Sequence, residues 1–186
     1  MYGLVNKAIE GLVRQKFGDD AWARIKGQAG WTGAHFVSMD TYDDEITYRL
    51  VDAASAELGL SPEQVLEAFG DYWTTYTMEA GYRDTLRMMG DTLPEFLGNL
   101  DVLHMRVGTL MPGLIPPSFA LENVDDGEWL LHYTSERDGL TPMVIGLLRG
   151  LARRFEEDVE LEALEGRGEA TATFRIRRVV RSAGND

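Results

Sequence analysis

No cysteine occurs in the 186 residues, which excludes a disulfide framework and any metal site built on thiolates. Histidine is nearly as scarce. Only His35, His104 and His132 are present, and neither of the others stands at ligand spacing from His104, so a site made wholly of protein ligands, which needs three or four, is not visible. Basic residues are too few for an electrostatic grip on polyanions: 18 Lys+Arg against 31 Asp+Glu leave a net charge of -13, which repels nucleic acid and anionic membrane surfaces. No apolar run approaches the roughly 20 residues of a membrane span. Asn6, Lys7 and Glu10 stand where a signal peptide would need its apolar core, so a cytoplasmic protein is expected. Linkers and low-complexity runs are missing too, and residues 1–181 are expected to form one domain followed by a tail, 182–186. A chain of this length buries roughly 70% of its unfolded surface, enough to enclose a cofactor. The paired acids Asp43-Asp44 and Glu156-Glu157 read as solvated, and no nucleophile stands at a telling spacing from a base, so catalysis is not expected.

What the chain does have centres on Leu93 to Phe119. Thr92, Pro94 and Glu95 form a capping box with proline in the first turn, opening a helix expected to run on through His104 to a Gly and Pro break at Pro112-Gly113. Leu97, Leu100, Val107 and Met111 recur at three or four residues, and His104 falls on the same apolar stripe. A buried imidazole needs partners for its ring nitrogens, because an unpaired polar group away from water costs roughly 1 to 3 kcal/mol. Taken alone, His104 fits a core residue bonded to a backbone carbonyl. It also fits a metal ligand, and one histidine suffices for that if a macrocycle brings four further nitrogens, which points to haem. With no cysteine, such a haem would be neither thiolate-ligated nor covalently attached.

Elsewhere the pattern is helical first and then β. Residues 2 to 17 set Val5, Ile9, Leu12 and Val13 on one helical face; a short helix follows from Asp20 to Gln28, a loop from Gly30 to Asp40, and a third helix from about Tyr42 or Asp43 to Gly59. Ser61-Pro62-Glu63-Gln64 caps a helix expected over Pro62 to Ala80, with Phe69, Tyr72, Trp73 and Tyr76 at spacings that could wall a flat apolar ligand or simply fill a core. Pro112, Pro116 and Pro117 hold the next segment extended. Strands at Ser118–Asn123 and Trp129–Ser135 flank the Asp125-Asp126-Gly127 turn; a helix follows over Leu140–Phe155, then a hairpin of Val159–Leu164 and Thr171–Val180 around Gly166 and Gly168. The fold class read from this order is α+β: N-terminal helices and the His104 helix around a buried group, with a C-terminal antiparallel sheet crossed by a helix.

Three segments carry a family resemblance. Leu100-Asp101-Val102-Leu103-His104 with Pro112-Gly113 and Pro117-Ser118-Phe119 resembles the proximal haem segment of the haem-nitric-oxide/oxygen-binding (H-NOX) family, which includes stand-alone bacterial gas sensors and the haem domain of soluble guanylate cyclase. Tyr133-Thr134-Ser135-Glu136-Arg137 fits that family's Tyr-x-Ser-x-Arg propionate motif, and Met1-Tyr2-Gly3-Leu4-Val5-Asn6 is similar to its N-terminus. The matches occur in the family's order from Met1 to about Arg181.

The resemblance implies non-covalent haem b, iron protoporphyrin IX, ligated by His104. Met1, Val5, Ile9, Leu100, Trp73, Met143 and Pro117 would border it, with Pro117 pressing on the porphyrin and Val5, Ile9 and Trp73 on the distal side. Tyr133, Ser135 and Arg137 would hold the propionates, which suits them: a guanidinium fork binds a carboxylate bidentately and the hydroxyls add single bonds. In oxygen-binding members a tyrosine on the helix after the motif donates to the bound gas. Here that position is Met143, which donates nothing, so the implied ligands are nitric oxide and carbon monoxide with oxygen excluded. Tyr72, Trp73 and Tyr76 leave a donor from the other helix open. Nitric oxide would signal by rupturing the bond from iron to His104. No output signature follows residue 181, so the implied receiver is a separate protein, a histidine kinase or a cyclic-di-GMP enzyme. An oxygen-binding haem protein and a haem-free interaction domain are the alternatives.

Overall fold

The computed structural model describes residues 1–165 and 170–179. Four helices open the chain: α1 (Gly3–Phe17), α2 (Asp19–Gln28), α3 (Asp44–Leu58) and α4 (Pro62–Thr77). Their apolar faces meet in one core, where Ile9 and Leu12 of α1 join Trp22 and Ile25 of α2, Leu50 and Ala54 of α3, and Val65 and Phe69 of α4. The local signals act as expected. Ser61 and Gln64 exchange side-chain and backbone bonds in a capping box, and Gly59 ends α3 in the left-handed conformation at φ 66°.

Two expected helices are shorter than their sequence pattern. The α4 helix stops at Thr77 rather than Ala80; Met78–Tyr82 make a wide turn in which Gly81 takes φ 97°, followed by an unanticipated α5 (Arg83–Arg87). The helix through His104 is also divided, into α6 (Leu93–Gly98) and α7 (Leu100–Leu110). Asn99 is the cause. Its amide donates to the carbonyls of Met89 (2.9 Å) and Glu95 (3.0 Å), a side-chain to backbone pairing that competes with a continuous helix. The Thr92–Glu95 capping box opens α6 as expected.

The sheet contains β1 (Ser118–Asp125), β2 (Glu128–Thr134), β3 (Val159–Glu165) and β4 (Thr171–Arg178), antiparallel in the order β1-β2-β4-β3. Both hairpins stand where expected, although Gly166, Gly168 and Val180 lie outside the described residues. Across one face runs α8 (Thr141–Arg154), whose Val144, Leu148 and Leu151 share a second core with Leu131, Phe174 and Ile176 of the sheet and with Phe96 and Leu97 of α6. Thr141, the first residue of this helix, is fully buried, with Leu140 at the cap.

The two cores are joined where α4 crosses α8. A Cβ at Gly70 would stand 2.0 Å from the carbonyl oxygen of Met143, and one at Gly146 would stand 2.0 Å from that of Glu67. The helix backbones therefore touch, and only glycine fits on either side. The chain forms the expected α+β architecture, a helical lobe and a sheet lobe with the α4–α8 crossing between them.

Candidate cofactor site

Between the lobes lies a cavity of about 360 Å³. Met1 and, from α1, Val5 and Ile9 line one wall, with Trp73 of α4 and Met143 of α8; Leu100 and His104 of α7 line another, with Pro117 beyond them. Tyr133, Ser135 and Arg137 stand together on its rim, at and just past the end of β2. All eleven residues singled out in the sequence thus border one space. Tyr72 and Tyr76 do not: the phenol oxygen of Tyr72 lies over Gly11, 2.8 Å from where a Cβ would be.

His104 is half-buried, and its Nδ1 is enclosed without a well-formed hydrogen bond. Burial lowers its pKa, opposed by the Pro117 carbonyl and the negative charge of Asp101, so the neutral imidazole is favoured at neutral pH. This is the form that offers a lone pair to a metal. The ring stacks obliquely on Phe119 at 5.8 Å, and Phe119 on Tyr133 at 5.3 Å. Asp101, one turn before His104, accepts from the Phe119 backbone N–H (2.7 Å) and the Ser118 hydroxyl (2.9 Å), fastening the start of α7 beside Pro117.

On the rim, the Ser135 hydroxyl accepts from the Arg137 N–H at 3.0 Å. Burial raises the Tyr133 pKa, opposed by its bond with Ser135 and by the Arg137 charge, which leaves a protonated hydroxyl. The guanidinium of Arg137 donates through Nε to Asp44 (2.7 Å) and through Nη1 to the Ile115 carbonyl (3.0 Å). Asp44 also takes the Met1 ammonium. Burial raises the Asp44 pKa, but the Met1 and Arg137 bonds outweigh it and hold the carboxyl below its usual value.

The donor set fits haem. An enclosed apolar slot, one neutral imidazole with a free valence and a cationic fork at the rim match an apolar macrocycle carrying iron and two carboxylates. Among the described residues no group of three or more His, Asp or Glu side chains could hold a bare metal ion.

Residues 2–163 match the family model described as Haem-NO-binding. The chain belongs to this family. Soluble guanylate cyclase gcy-32 of Caenorhabditis elegans is 36% identical over 171 residues, 90% of this chain and 25% of that protein. The gcy-35 cyclase of the same organism is 34% identical across 97% of this chain and 27% of its own length. The chain thus spans about a quarter of the length of these curated relatives. Among solved structures, an H-NOX protein from S. oneidensis in the Fe(II)NO state superposes at a TM-score of 0.87 with 20% identity, covering 97% of this chain and 100% of its own. Unliganded Fe(II) H-NOX from K. algicida gives a TM-score of 0.82 with 19% identity over the full length of both. Both establish the H-NOX fold.

Within this H-NOX fold four wall hydroxyls are already committed. Tyr2 donates to the Pro112 carbonyl (2.7 Å), Thr47 to Asn6 (2.7 Å), Thr74 to the Asp71 carbonyl (2.8 Å) and Thr77 to the Trp73 carbonyl (2.8 Å). Thr41, Tyr48, Trp73 and Tyr82 also line the cavity and are outside that set. Two acids that shape the site go beyond the sequence reading: Asp44, expected to be solvated, is instead held between the Met1 ammonium and Arg137, and Asp101, part of the family-like segment, has no stated role there. Asp101 carried a signal, an acid one helical turn before the histidine; Asp44 carried none, since its partner Arg137 is 93 residues away.

Proposed function

We propose that the chain is a haem-based gas sensor that binds nitric oxide and carbon monoxide at ferrous haem b, excludes oxygen, and signals when His104 is released from the iron. The observation that carries this reading is the convergence of His104, its Nδ1 unpaired, with the Tyr133, Ser135 and Arg137 cluster on one apolar cavity in a chain of the Haem-NO-binding family. When bound, the haem supplies the iron at which the gas is captured. His104 would ligate it, Arg137, Tyr133 and Ser135 would hold the propionates, and Pro117 and Leu100 would bear on the ring from the α7 side. Val5, Ile9, Trp73 and Met143 would border the gas, and Met1 the rim. Met143 has no proton to give, and the Thr47, Thr74 and Thr77 hydroxyls are spent on protein acceptors rather than on a bound gas, which supports exclusion of oxygen. The signal would pass from α7 to a partner protein, a histidine kinase or a cyclic-di-GMP enzyme.

The deciding experiment is the absorption spectrum of the purified protein, reduced without air and exposed separately to oxygen and nitric oxide. A haem band indifferent to oxygen and shifted by nitric oxide is expected; absence of haem after reconstitution would overturn the reading. His104→Gly supplied with free imidazole should take up haem yet leave the partner unregulated. A second reading, a stable oxygen complex, is favoured by the Trp73 indole and the Tyr82 hydroxyl on the wall. It predicts an oxygen-stable spectrum that Trp73→Phe or Tyr82→Phe abolishes.

A further inference from the structure

Two aromatic residues of α4, Tyr72 and Tyr76, stand away from the main cavity, and the order of the rings beside them gives them a use. Trp73 lines the cavity. Its ring centroid is 6.1 Å from that of Tyr76, which is 5.8 Å from that of Tyr72, with planes inclined at 34° and 32°. Spacings of three and four residues on one helix hold these neighbours together. Both phenols are half-buried, so the row of rings runs from the cavity wall to the surface of the helical lobe. We propose that Trp73, Tyr76 and Tyr72 form a relay that carries oxidising equivalents out of the cavity when a haem bound there meets hydrogen peroxide. The inference rests on the haem reading.

Packing alone does not require the two hydroxyls, since phenylalanine fills nearly the same volume. What a phenol adds is a ring that gives up one electron together with its proton. The neighbours set the direction. Trp73 also lies 5.8 Å from Phe69, whose benzene ring holds its electrons too tightly to take part, so an oxidised indole is refilled from Tyr76, and Tyr76 from Tyr72. Burial and then the charge of Glu79 raise the Tyr72 pKa, and burial, Tyr72, Tyr82 and Glu10 raise that of Tyr76, so both start as neutral phenols. The same negative charges favour removal of an electron from the rings. Overall, hydrogen peroxide and two tyrosines give two waters and two phenoxyl radicals: the O–O bond breaks, each oxygen takes one electron and one proton, and each phenol loses one of each. The haem supplies the iron at which that bond breaks. The relay spares the cavity, where no cysteine absorbs an oxidant and where oxidation of Met1, Met111 or Met143 would set a polar sulfoxide among apolar walls.

The haem-loaded ferric protein, treated with hydrogen peroxide and a nitroso spin trap and then mapped by peptide mass spectrometry, tests the relay. Trap adducts on Tyr72 or Tyr76 are expected; adducts confined to other tyrosines, such as Tyr82 and Tyr133 on the cavity wall, or none at all, would overturn it. The double variant Tyr72→Phe with Tyr76→Phe keeps both rings, and neither borders the cavity, so its haem spectrum before peroxide should be that of the parent protein. Peroxide should then bleach its haem several-fold faster, and the phenoxyl signal in electron paramagnetic resonance should fall several-fold. Bleaching at the parent rate, or an undiminished signal, would overturn the proposal. Failure to bind haem would bring down the sensor reading, whereas haem binding without radicals on α4 would bring down the relay alone.

Discussion

Replacing Gly70 with alanine should separate the two lobes at their tightest contact. The added Cβ would stand 2.0 Å from the Met143 carbonyl oxygen and 2.9 Å from the Leu147 nitrogen, both backbone atoms that cannot rotate away. Comfortable contact for a carbon is about 3.5 Å, so the helices must part by more than an ångström. Overpacking of this kind costs roughly 1 to 3 kcal/mol, and a backbone clash belongs at the upper end. Alanine returns up to about 1 kcal/mol through its better helix propensity. The clash therefore wins by about 2 kcal/mol, which in a domain of this size lowers Tm by roughly 4 to 8 °C. Gly27→Ala in α2 is the control. Nothing lies within 4 Å of its Cβ, so the same change there should leave Tm equal or slightly higher. Thermal unfolding followed by circular dichroism reads both variants. Because the clash falls on Met143, haem-loaded Gly70→Ala should also show a perturbed haem spectrum. A Gly70→Ala protein as stable as Gly27→Ala would refute the reasoning.

Asp101→Asn keeps the size of the side chain but removes the charge that strengthens its bond to the Phe119 N–H. It should cost about 1 kcal/mol, by urea unfolding, and shift the iron–histidine stretching frequency of the haem-loaded protein, since α7 then holds His104 less firmly. Arg137→Gln removes the cationic donor at the rim; haem retention during gel filtration should fall while the helical content by circular dichroism stays unchanged. The Asp44 carboxyl has a folded-state pKa below its unfolded one, so its contribution to stability is full above about pH 4 and lost as pH falls through the depressed value. The stability gap between the parent protein and Asp44→Asn should accordingly narrow below about pH 4; a gap constant across the titration would contradict the role given to the ion pair.

What the sequence disclosed of this fold is what local chemistry decides. The boxes at Ser61 and Thr92 and the left-handed Gly59 each depend on residues within one turn, and each stands where expected. The breaks at Asn99 and Gly81 do not. The Asn99 amide leaves the helix for the Met89 carbonyl, an acceptor whose position is set by tertiary structure, and the periodicity of Leu97, Leu100 and His104 continues across the break undisturbed. Gly70 and Gly146 are visible as letters, but nothing in the sequence says that they face one another. For the site, spacing set His104 on an apolar stripe and the aromatic residues of α4 on one face, but the eleven residues as a set came from the family resemblance, and all of them line the cavity. The ion pair across its mouth was hidden by the 93 residues between its members.

The way α7 is held explains why His104 is a plausible trigger in this chain. None of its eleven residues is fully buried; Met105 and Leu110 on the outside are 68% and 66% exposed, and the inner face looks onto the cavity. A helix of that length is marginal unless an apolar face is packed. At its start α7 is fastened by the two Asp101 bonds, and at its end by buried Met111 beside Tyr2 and Leu4. Between those points Leu103 packs on the sheet-lobe core, His104 on Phe119 and Val107 on the Met111 cluster, and the cavity borders the same face. An occupant attached to His104 would add both a bond and further burial to the inner face. On the reading proposed above, loss of that bond would free α7 while the remaining ties hold: Gly70 against Met143, Asp44 to Arg137, and Tyr2 to the Pro112 carbonyl. Those ties all lie outside α7. On that reading a change at His104 would pass into this one helix, whose outer face carries the exposed Met105 and Leu110.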